Sequence, residues 1–340
     1  MKLLHSTKKI IGAAAASLAL AASAQAADLK TVKMCAFMVM GEGGPEHQML
    51  SDYQAAALNW GVKIELKPYM NENVVIEELK AGVCDMANMT GIQARNFNKF
   101  TGALDSPGSI PSYDHLKIAI ETLAKPSAAK YMKEGDFEVV GIQTAGAVFL
   151  FTNDRKIQSI GDLAGKKMGI LDSMPEIRQI VSEMGMTPVS STVTNMFQKF
   201  NNGVIDVTAG PAVVYDMMEL YKGMEPDGGI LQAPLVQASM QFVGRSSALP
   251  QDFAQKSREY FAGNFDSSVE FIEEAEKNIP KKWWIPIPEE TQPELHAQTK
   301  RVRLSLRDQG LYDPKMLTLL RKIRCKKEPT LAECTAKDAE

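Results

Sequence analysis

The 340-residue chain carries 38 Lys and Arg against 41 Asp and Glu, a formal net charge of −3, and 45% of its residues are hydrophobic. Removing a leader that contains Lys2, Lys8 and Lys9 turns the 38 into 35 and the balance into −6, which leaves no electrostatic reason to expect nucleic acid or an anionic membrane surface as a partner. The remaining chain of about 310 residues has ample material for two domains or one large one.

The first stretch, MKLLHSTKKIIGAAAASLALAASAQAADLK, has a basic start, an apolar run and Ala24-Gln25-Ala26. The run is shorter than the roughly 20 apolar residues a bilayer span needs. Residues 1–26 are therefore predicted to be a signal peptide cleaved after Ala26. The residue directly after the predicted cleavage site is Ala27, not Cys, so no lipid anchor is expected. The mature protein is expected in the periplasm, monomeric and not inserted in the membrane.

Next, TVKMCAFMVM reads as a buried strand and GEGGPEHQML as a flexible loop that opens a helix, with Pro45 in its first turn. That helix stops at Gly61, VKIELKPYM is a second strand, NENVVIEELKAG a helix closed by Gly82, and VCDMANM a third strand. The same grammar restarts with KKMGILD, MPEIRQIVSEMG ending at Gly185, MTPVSS, VTNMFQKFNNG ending at Gly203, and VIDVTAG. Strands alternating with helices predict parallel sheets covered by helices. The turn GVCDMANMTG thus recurs as GVIDVTAGPA about 120 residues later. Two copies in matching βαβαβ units predict two lobes built alike.

Residues 141–153 and 236–245 are the expected strands that cross between lobes. Beyond Leu249-Pro250 the apolar spacing turns helical, interrupted by IPKKWWIPIPEE. Trp283 and Trp284 there either stack on a ligand or brace a helix pair. The expected divisions are lobe I at 27–147, lobe II at 148–240, and a return strand with C-terminal helices at 241–340 packing on both lobes.

Four cysteines follow the leader: Cys35, Cys84, Cys325 and Cys334. An even count in an oxidising compartment favours two disulfides; chain order suggests Cys35 with Cys84 and Cys325 with Cys334, although three pairings satisfy the count. Motifs of chemistry are missing: there is no GxSxG, no HExxH and no phosphate-binding glycine loop. His47, His115 and His296 are too scattered to form a metal site with the few cysteines. An exported, motif-poor chain without cofactor or metal reads as a binder and not an enzyme.

FLFTNDRKIQSIGDLAGKKMGIL resembles the middle segment of the periplasmic solute-binding proteins of TRAP transporters. The resemblance continues through MGMTPVSSTVTNMFQKFNNGVIDVTAGP and into GRSSALPQDFAQKSREYF, and is strongest from about 140 to 260. The whole chain is similar to a group of solute-binding proteins of Gram-negative bacteria. The resemblance implies a two-lobe α/β periplasmic-binding-protein fold that closes on a small polar or organic solute and presents it to an inner-membrane permease. Two other roles share such a fold: the ligand-binding partner of a membrane sensor, and a periplasmic enzyme. Receptors of this family for organic acids hold the carboxylate with two arginines and an asparagine, at places occupied here by Val148, Gly169 and Gly210. A buried carboxylate without a cation or several donors is costly, so an organic acid held in the family's usual way is not expected here.

Ligands of open α/β sheets sit beyond the carboxyl ends of the strands. That rule selects Met40, Gly41, Glu42 and Gly43 after the first strand and Asn88, Met89 and Thr90 after the third. In lobe II it selects Asp172 and Ser173, Ser191 and Thr192, and Thr208 with Gly210. Arg95 either replaces a missing cation or is a solvated helix arginine. Phe149 and Gln241 on the crossing strands are candidates for apolar and polar contacts. Asp172 and Glu42 are candidates for an amine, or Asp172 caps the helix near Pro175. The nineteen methionines hint at an adaptable apolar pocket.

Overall fold

The computed structural model describes residues 29–335 and Glu340; the predicted signal peptide and its cleavage site lie outside the described residues. The first unit runs β1 (Lys30–Phe37), α1 (Pro45–Leu58), β2 (Val62–Tyr69), α2 (Glu72–Lys80) and β3 (Met86–Thr90), followed after two one-turn helices by α3 (Tyr113–Ala124). A long strand, β4 (Phe137–Thr152), leads into the second unit: β5 (Lys167–Leu171), α4 (Pro175–Glu183), β6 (Thr187–Ser191), α5 (Val193–Asn201) and β7 (Val207–Pro211). The chain returns through β8 (Val236–Arg245) and finishes with α6 (Phe253–Gly263), α7 (Phe265–Asn278), α8 (Gln292–Asp308) and α9 (Pro314–Lys327), before a last turn of helix at Ala332–Thr335.

The strands form one sheet in the order β2-β1-β3-β8-β4-β7-β5-β6, with three strands of two or three residues at its margins. Within each unit the pairs are parallel: Lys30 opposite Val62 through Phe37 opposite Tyr69 in the first, Lys167 opposite Thr187 through Leu171 opposite Ser191 in the second. β4 and β8 are antiparallel to each other and to their outer neighbours. The two lobes are therefore joined by hydrogen bonds through the crossing strands. Length makes this possible: the 16 residues of β4 reach about 50 Å at the rise of an extended strand. Its pairing changes partner at Val148, which faces Val236 of β8 on one side and Pro211 of β7 on the other.

The crossing is irregular where it bends. β8 shifts register between Ala238 and Ser239 and again between Phe242 and Val243. Beside the first shift Gly146 has φ +103°, and a Cβ there would meet Ile272 Cγ2 at 3.0 Å; only glycine takes that backbone without strain.

Parallel strands covered on both faces bury both sets of side chains, which is why the first strand does not alternate cleanly in sequence. In β1, Val32, Met34 and Ala36 enter one core with Leu50, Tyr53 and Phe242, while Cys35 and Phe37 enter another with Leu79, Ala87 and Leu116. Lobe II has its own pair of cores, one around Phe151, Phe197 and Phe200 and one around Ile170, Val181 and Val207. α9 packs on α3 with Met316, Leu317 and Leu320 in the lobe I core. The Trp segment joins lobe II: Trp284 pairs with Ile230, and Trp283 is buried in the core with Phe197 and Ile279.

The repeated turn has one structural use in both lobes. Gly82 and Gly203, at φ +74° and +68°, end α2 and α5 in the left-handed conformation that a side chain disfavours. The aspartate three residues on then ties the turn to the neighbouring strand, Asp85 to Lys33 and Asp206 to Lys167. Both disulfides join the cysteines nearest in chain order: Cys35 with Cys84, which ties β1 to the entry of β3, and Cys325 with Cys334.

Candidate functional site: an apolar cleft between the lobes

A cleft of about 810 Å³ opens where the two units face each other. Lobe I lines it with Phe37 and Val39 after β1, with Asn88 and Thr90 at the end of β3, and with Asp105 and Pro107. Lobe II contributes Gly169 and Leu171 of β5, Ala209 to Pro211 of β7, and one face of α4 through Ile177, Ile180 and Met184. Thr144, Val148, Ser239 and Met240 of the crossing strands form the floor, with Phe271 and Ile272 of α7 beside them. The ends of the two repeated turns thus meet at one site, as strand ends do when two βαβαβ units face each other.

The lining is predominantly apolar. Eight of the nineteen methionines border it, among them Met168, Met174, Met196 and Met240. Among the described residues no Lys, Arg or His lines the cleft, whereas Glu46, Asp52 and Asp105 do. Val148, Gly169 and Gly210, which the resemblance to TRAP receptors places at the carboxylate-holding positions, are all part of this lining.

Polar side chains of the wall are largely occupied by the protein itself. Asn88 accepts the Phe37 amide at 2.8 Å and donates to the Phe37 carbonyl at 2.9 Å, so it fastens β3 to β1. The Thr90 amide donates to Glu72 Oε1 at 2.6 Å, and burial raises the Glu72 carboxyl above the usual range. Asp105 is 8% exposed. Its Oδ2 accepts the Ser239 amide at 2.9 Å and its Oδ1 the Ser239 hydroxyl at 2.7 Å. Burial pushes its carboxyl from the ordinary 3.8 up to about 7, with the two Ser239 bonds opposing part of the rise. Gly91 makes room for it, since a Cβ at that position would lie 2.3 Å from Asp105 Oδ2.

The sequence-selected residues divide into several groups. Asn88, Thr90 and Gly210 line the cleft. Asp172, Ser173 and Thr192 come together at a smaller polar gap of about 50 Å³, where they and Ser191 face Asn71, Glu72, Asn73 and Gln93 of lobe I. Thr192 caps α5 in a reciprocal pair with Asn195, but Asp172 does not cap α4, whose N-cap is Met174 with no side-chain bond. Met40, Gly41, Glu42 and Gly43 lie in a short turn outside the cleft lining, with Met40 43% exposed. Met89 and Thr208 are fully buried.

Arg95 is buried, not solvated, with Gly102 lying close against its Cα and Cβ, and it is not part of the lining. Phe149 points away from the cleft residues Val148 and Leu150 and meets Trp284 edge to face at 5.2 Å. The two tryptophans brace lobe II. Gln241 is fully buried one step behind the lining, donating to Thr101 O at 3.0 Å and to Ser239 Oγ at 3.1 Å. His115 accepts or donates a bond with Ser112 Oγ at 2.8 Å and does not line the cleft.

Sequence reasoning missed Asp105, because ALDSPGS reads as an ordinary turn, and it missed α4 as a wall. The three-and-four spacing of Met174, Ile177, Val181 and Met184 is the same whether a helix faces a core or a cleft. Among the described residues no group of His, Cys, Asp or Glu is arranged to hold a metal ion, and no helix is long and apolar enough to cross a membrane.

Comparison with known proteins agrees with this geometry. The family model for solute-binding protein AdeT 1/2 matches residues 23–339. "Probable solute-binding protein AdeT1" of Acinetobacter baumannii is 38% identical over 302 residues, 89% of this chain and 99% of that protein. "Probable solute-binding protein AdeT2" of the same organism is 24% identical over 235 residues, 68% of this chain and 98% of that one. Among solved structures, the TRAP periplasmic solute-binding protein of Desulfovibrio desulfuricans with bound sn-glycerol-3-phosphate superposes with a TM-score of 0.72 at 17% identity, covering 88% of this chain and 97% of that chain. The Desulfovibrio salexigens protein with bound orotic acid gives 0.71 at 15%, covering 87% and 99%. With one family model spanning nearly all of its length and a curated relative aligned from end to end, the chain belongs to the AdeT 1/2 family of solute-binding proteins.

Proposed function

We propose that this protein is a periplasmic receptor, not an enzyme, that captures one solute between its lobes and presents it as a monomer to a TRAP-type membrane transporter. The observation that carries the reading is the cleft itself: the ends of both repeated turns border a space of about 810 Å³, within the range of pockets that enclose a small ligand. The pairing register supports a division of the chain at 148 and 241. Val148 is where β4 passes from β8 to β7, and Met240, opposite Thr90, is where β8 joins β3. The irregular backbone at Gly146 and at Ala238/Ser239 supplies the place to bend as the lobes close.

The expected solute is largely apolar, because the lining offers few free polar partners and the aligned acid-holding positions are Val148, Gly169 and Gly210. Native mass spectrometry of the protein purified from its own periplasm tests this. A single small molecule should be released on denaturation, and adding it back to refolded protein should contract the molecule in small-angle scattering. Turnover of that molecule into a product, or binding without contraction, would rule out the receptor role.

A further inference from the structure

We propose that the solute is an amphiphilic cation, with an apolar body against the lobe II wall and an ammonium group donating to Asp105. This rests on the receptor reading above and adds the chemical class of what is received.

The argument begins with charge. Apart from the phenols of Tyr260 and Tyr312, every ionisable side chain of the lining is a carboxyl group: Glu46, Asp52 and Asp105. An anionic solute would lose its hydration and meet only like charge, which is unfavourable on both counts. A neutral solute would satisfy the apolar wall but leave Asp105 as it stands. Among the described residues only burial and the two Ser239 hydrogen bonds act on the Asp105 carboxyl, with no cation among them, although it is 8% exposed in the wall of the cleft. A buried carboxylate with hydrogen bonds but no opposite charge is poorly compensated. An ammonium group brought by the solute supplies that charge.

Geometry prepares the carboxylate for such a partner. Ser239 uses one donor on each oxygen, while two carboxylate oxygens offer about four acceptor sites. Acceptor capacity therefore remains. Gln241 Nε2 donates to Ser239 Oγ at 3.1 Å, so the hydroxyl proton of Ser239 is free to point at Asp105. Gly91 leaves the room in which the carboxyl and the Ser239 hydroxyl sit, since a Cβ there would lie 2.3 Å from Asp105 Oδ2 and 2.5 Å from Ser239 Oγ. Across the cleft, Ile177, Ile180 and Leu171 offer an apolar surface to the rest of the molecule, and the methionines around it adapt to irregular shape.

The test uses three probes with the same alkyl body and different heads: decylammonium, decanol and decanoate. Each is titrated below its micelle concentration into refolded, ligand-free protein by calorimetry. Decylammonium should bind more tightly than decanol by at least about tenfold, the worth of one hydrogen bond to a charged group, and decanoate should bind most weakly. Asp105→Asn should remove the preference for the amine while leaving decanol within about twofold. Because that variant also disturbs the Ser239 pair that holds the fold together here, the ranking of the three heads on the unaltered protein decides by itself. Equal binding of amine and alcohol would overturn the Asp105 anchor and leave the receptor reading intact. Binding of none of the three would overturn the amphiphile, while the contraction caused by the native solute would still judge the receptor separately.

Discussion

Asp85 and Asp206, one in each lobe, make the same clamp: each carboxylate Oδ2 accepts the backbone amide of the neighbouring strand at 2.8 Å, from Lys33 and Lys167 respectively. The return bonds match as well, Asp85 N to Lys33 O at 2.9 Å and Asp206 N to Lys167 O at 2.8 Å. Both aspartates follow a left-handed glycine by three residues. Replacing either with Ala removes a charge-assisted bond to an amide and should cost about 1–2 kcal/mol in urea denaturation. Asn keeps an acceptor and should cost less. Equal losses for Ala and Asn would mean that the carboxylate, not the acceptor, stabilises the turn.

The pairing of Asp105 with Ser239 gives stability a defined pH dependence. The folded-state carboxyl is raised by burial to about 7 from the ordinary 3.8, so between those values the folded protein holds a proton that the unfolded chain has released. Stability therefore falls as pH rises across that window and levels off above it. The Asp105 contribution is fully present below the unfolded value and lost above the folded one. Urea midpoints should decline from pH 5 to pH 8 in the parent protein, and the decline should shrink in Asp105→Asn. An identical slope in both proteins would assign the pH dependence to other groups.

The sites that hold acids in TRAP receptors cannot simply be refilled here. A Cβ at Gly169 would lie 2.7 Å from Ile205 Cδ1 and 2.8 Å from Met196 Cγ. Gly169→Ala should destabilise the protein by about 1–3 kcal/mol through overpacking. The same contact makes an arginine at this position incompatible with the present packing of α5 on β5. Thermal melts of Gly169→Ala beside Gly203→Ala, whose position has open space but φ +68°, would separate steric crowding from backbone strain.

The two disulfides should differ in worth. Cys35–Cys84 spans a sequence separation of 49 and Cys325–Cys334 one of 9; on the chain-entropy argument they contribute roughly 4 and somewhat under 3 kcal/mol. Paired replacement by Ala at 35 and 84 should lower the urea midpoint more than paired replacement at 325 and 334. The first pair also lies in the lobe I core, both cysteines being buried, which adds a packing loss in the same direction.

How much of this was legible before folding is clearest at particular residues. Gly82, Gly203, Asp85 and Asp206 announced two equivalent units, because helix stops and strand periods are written within a few residues of sequence. Both crossing strands were also legible from their long apolar runs. Phe149 was placed on the right strand but on the wrong face: its neighbours Val148 and Leu150 take the cleft, and Phe149 takes Trp284. A period of two cannot tell which face looks into a core and which into a cavity when both are apolar.

Local chemistry alone thus determined the elements and their order, since each depends on backbone conformations and spacings that a short segment specifies; chain order only suggested the cysteine pairing, and the docking of β3 beside β1 decided it for Cys35 and Cys84. Tertiary structure alone decided what the cleft is made of. Asp105 and Ser239 are separated by 134 residues and meet only because β8 returns beside β3 in one register, while α4, packed on β5 and β6, borders the gap from the other lobe. Long-range register and lobe packing place those side chains, and neither is encoded in any window short enough to read by pattern.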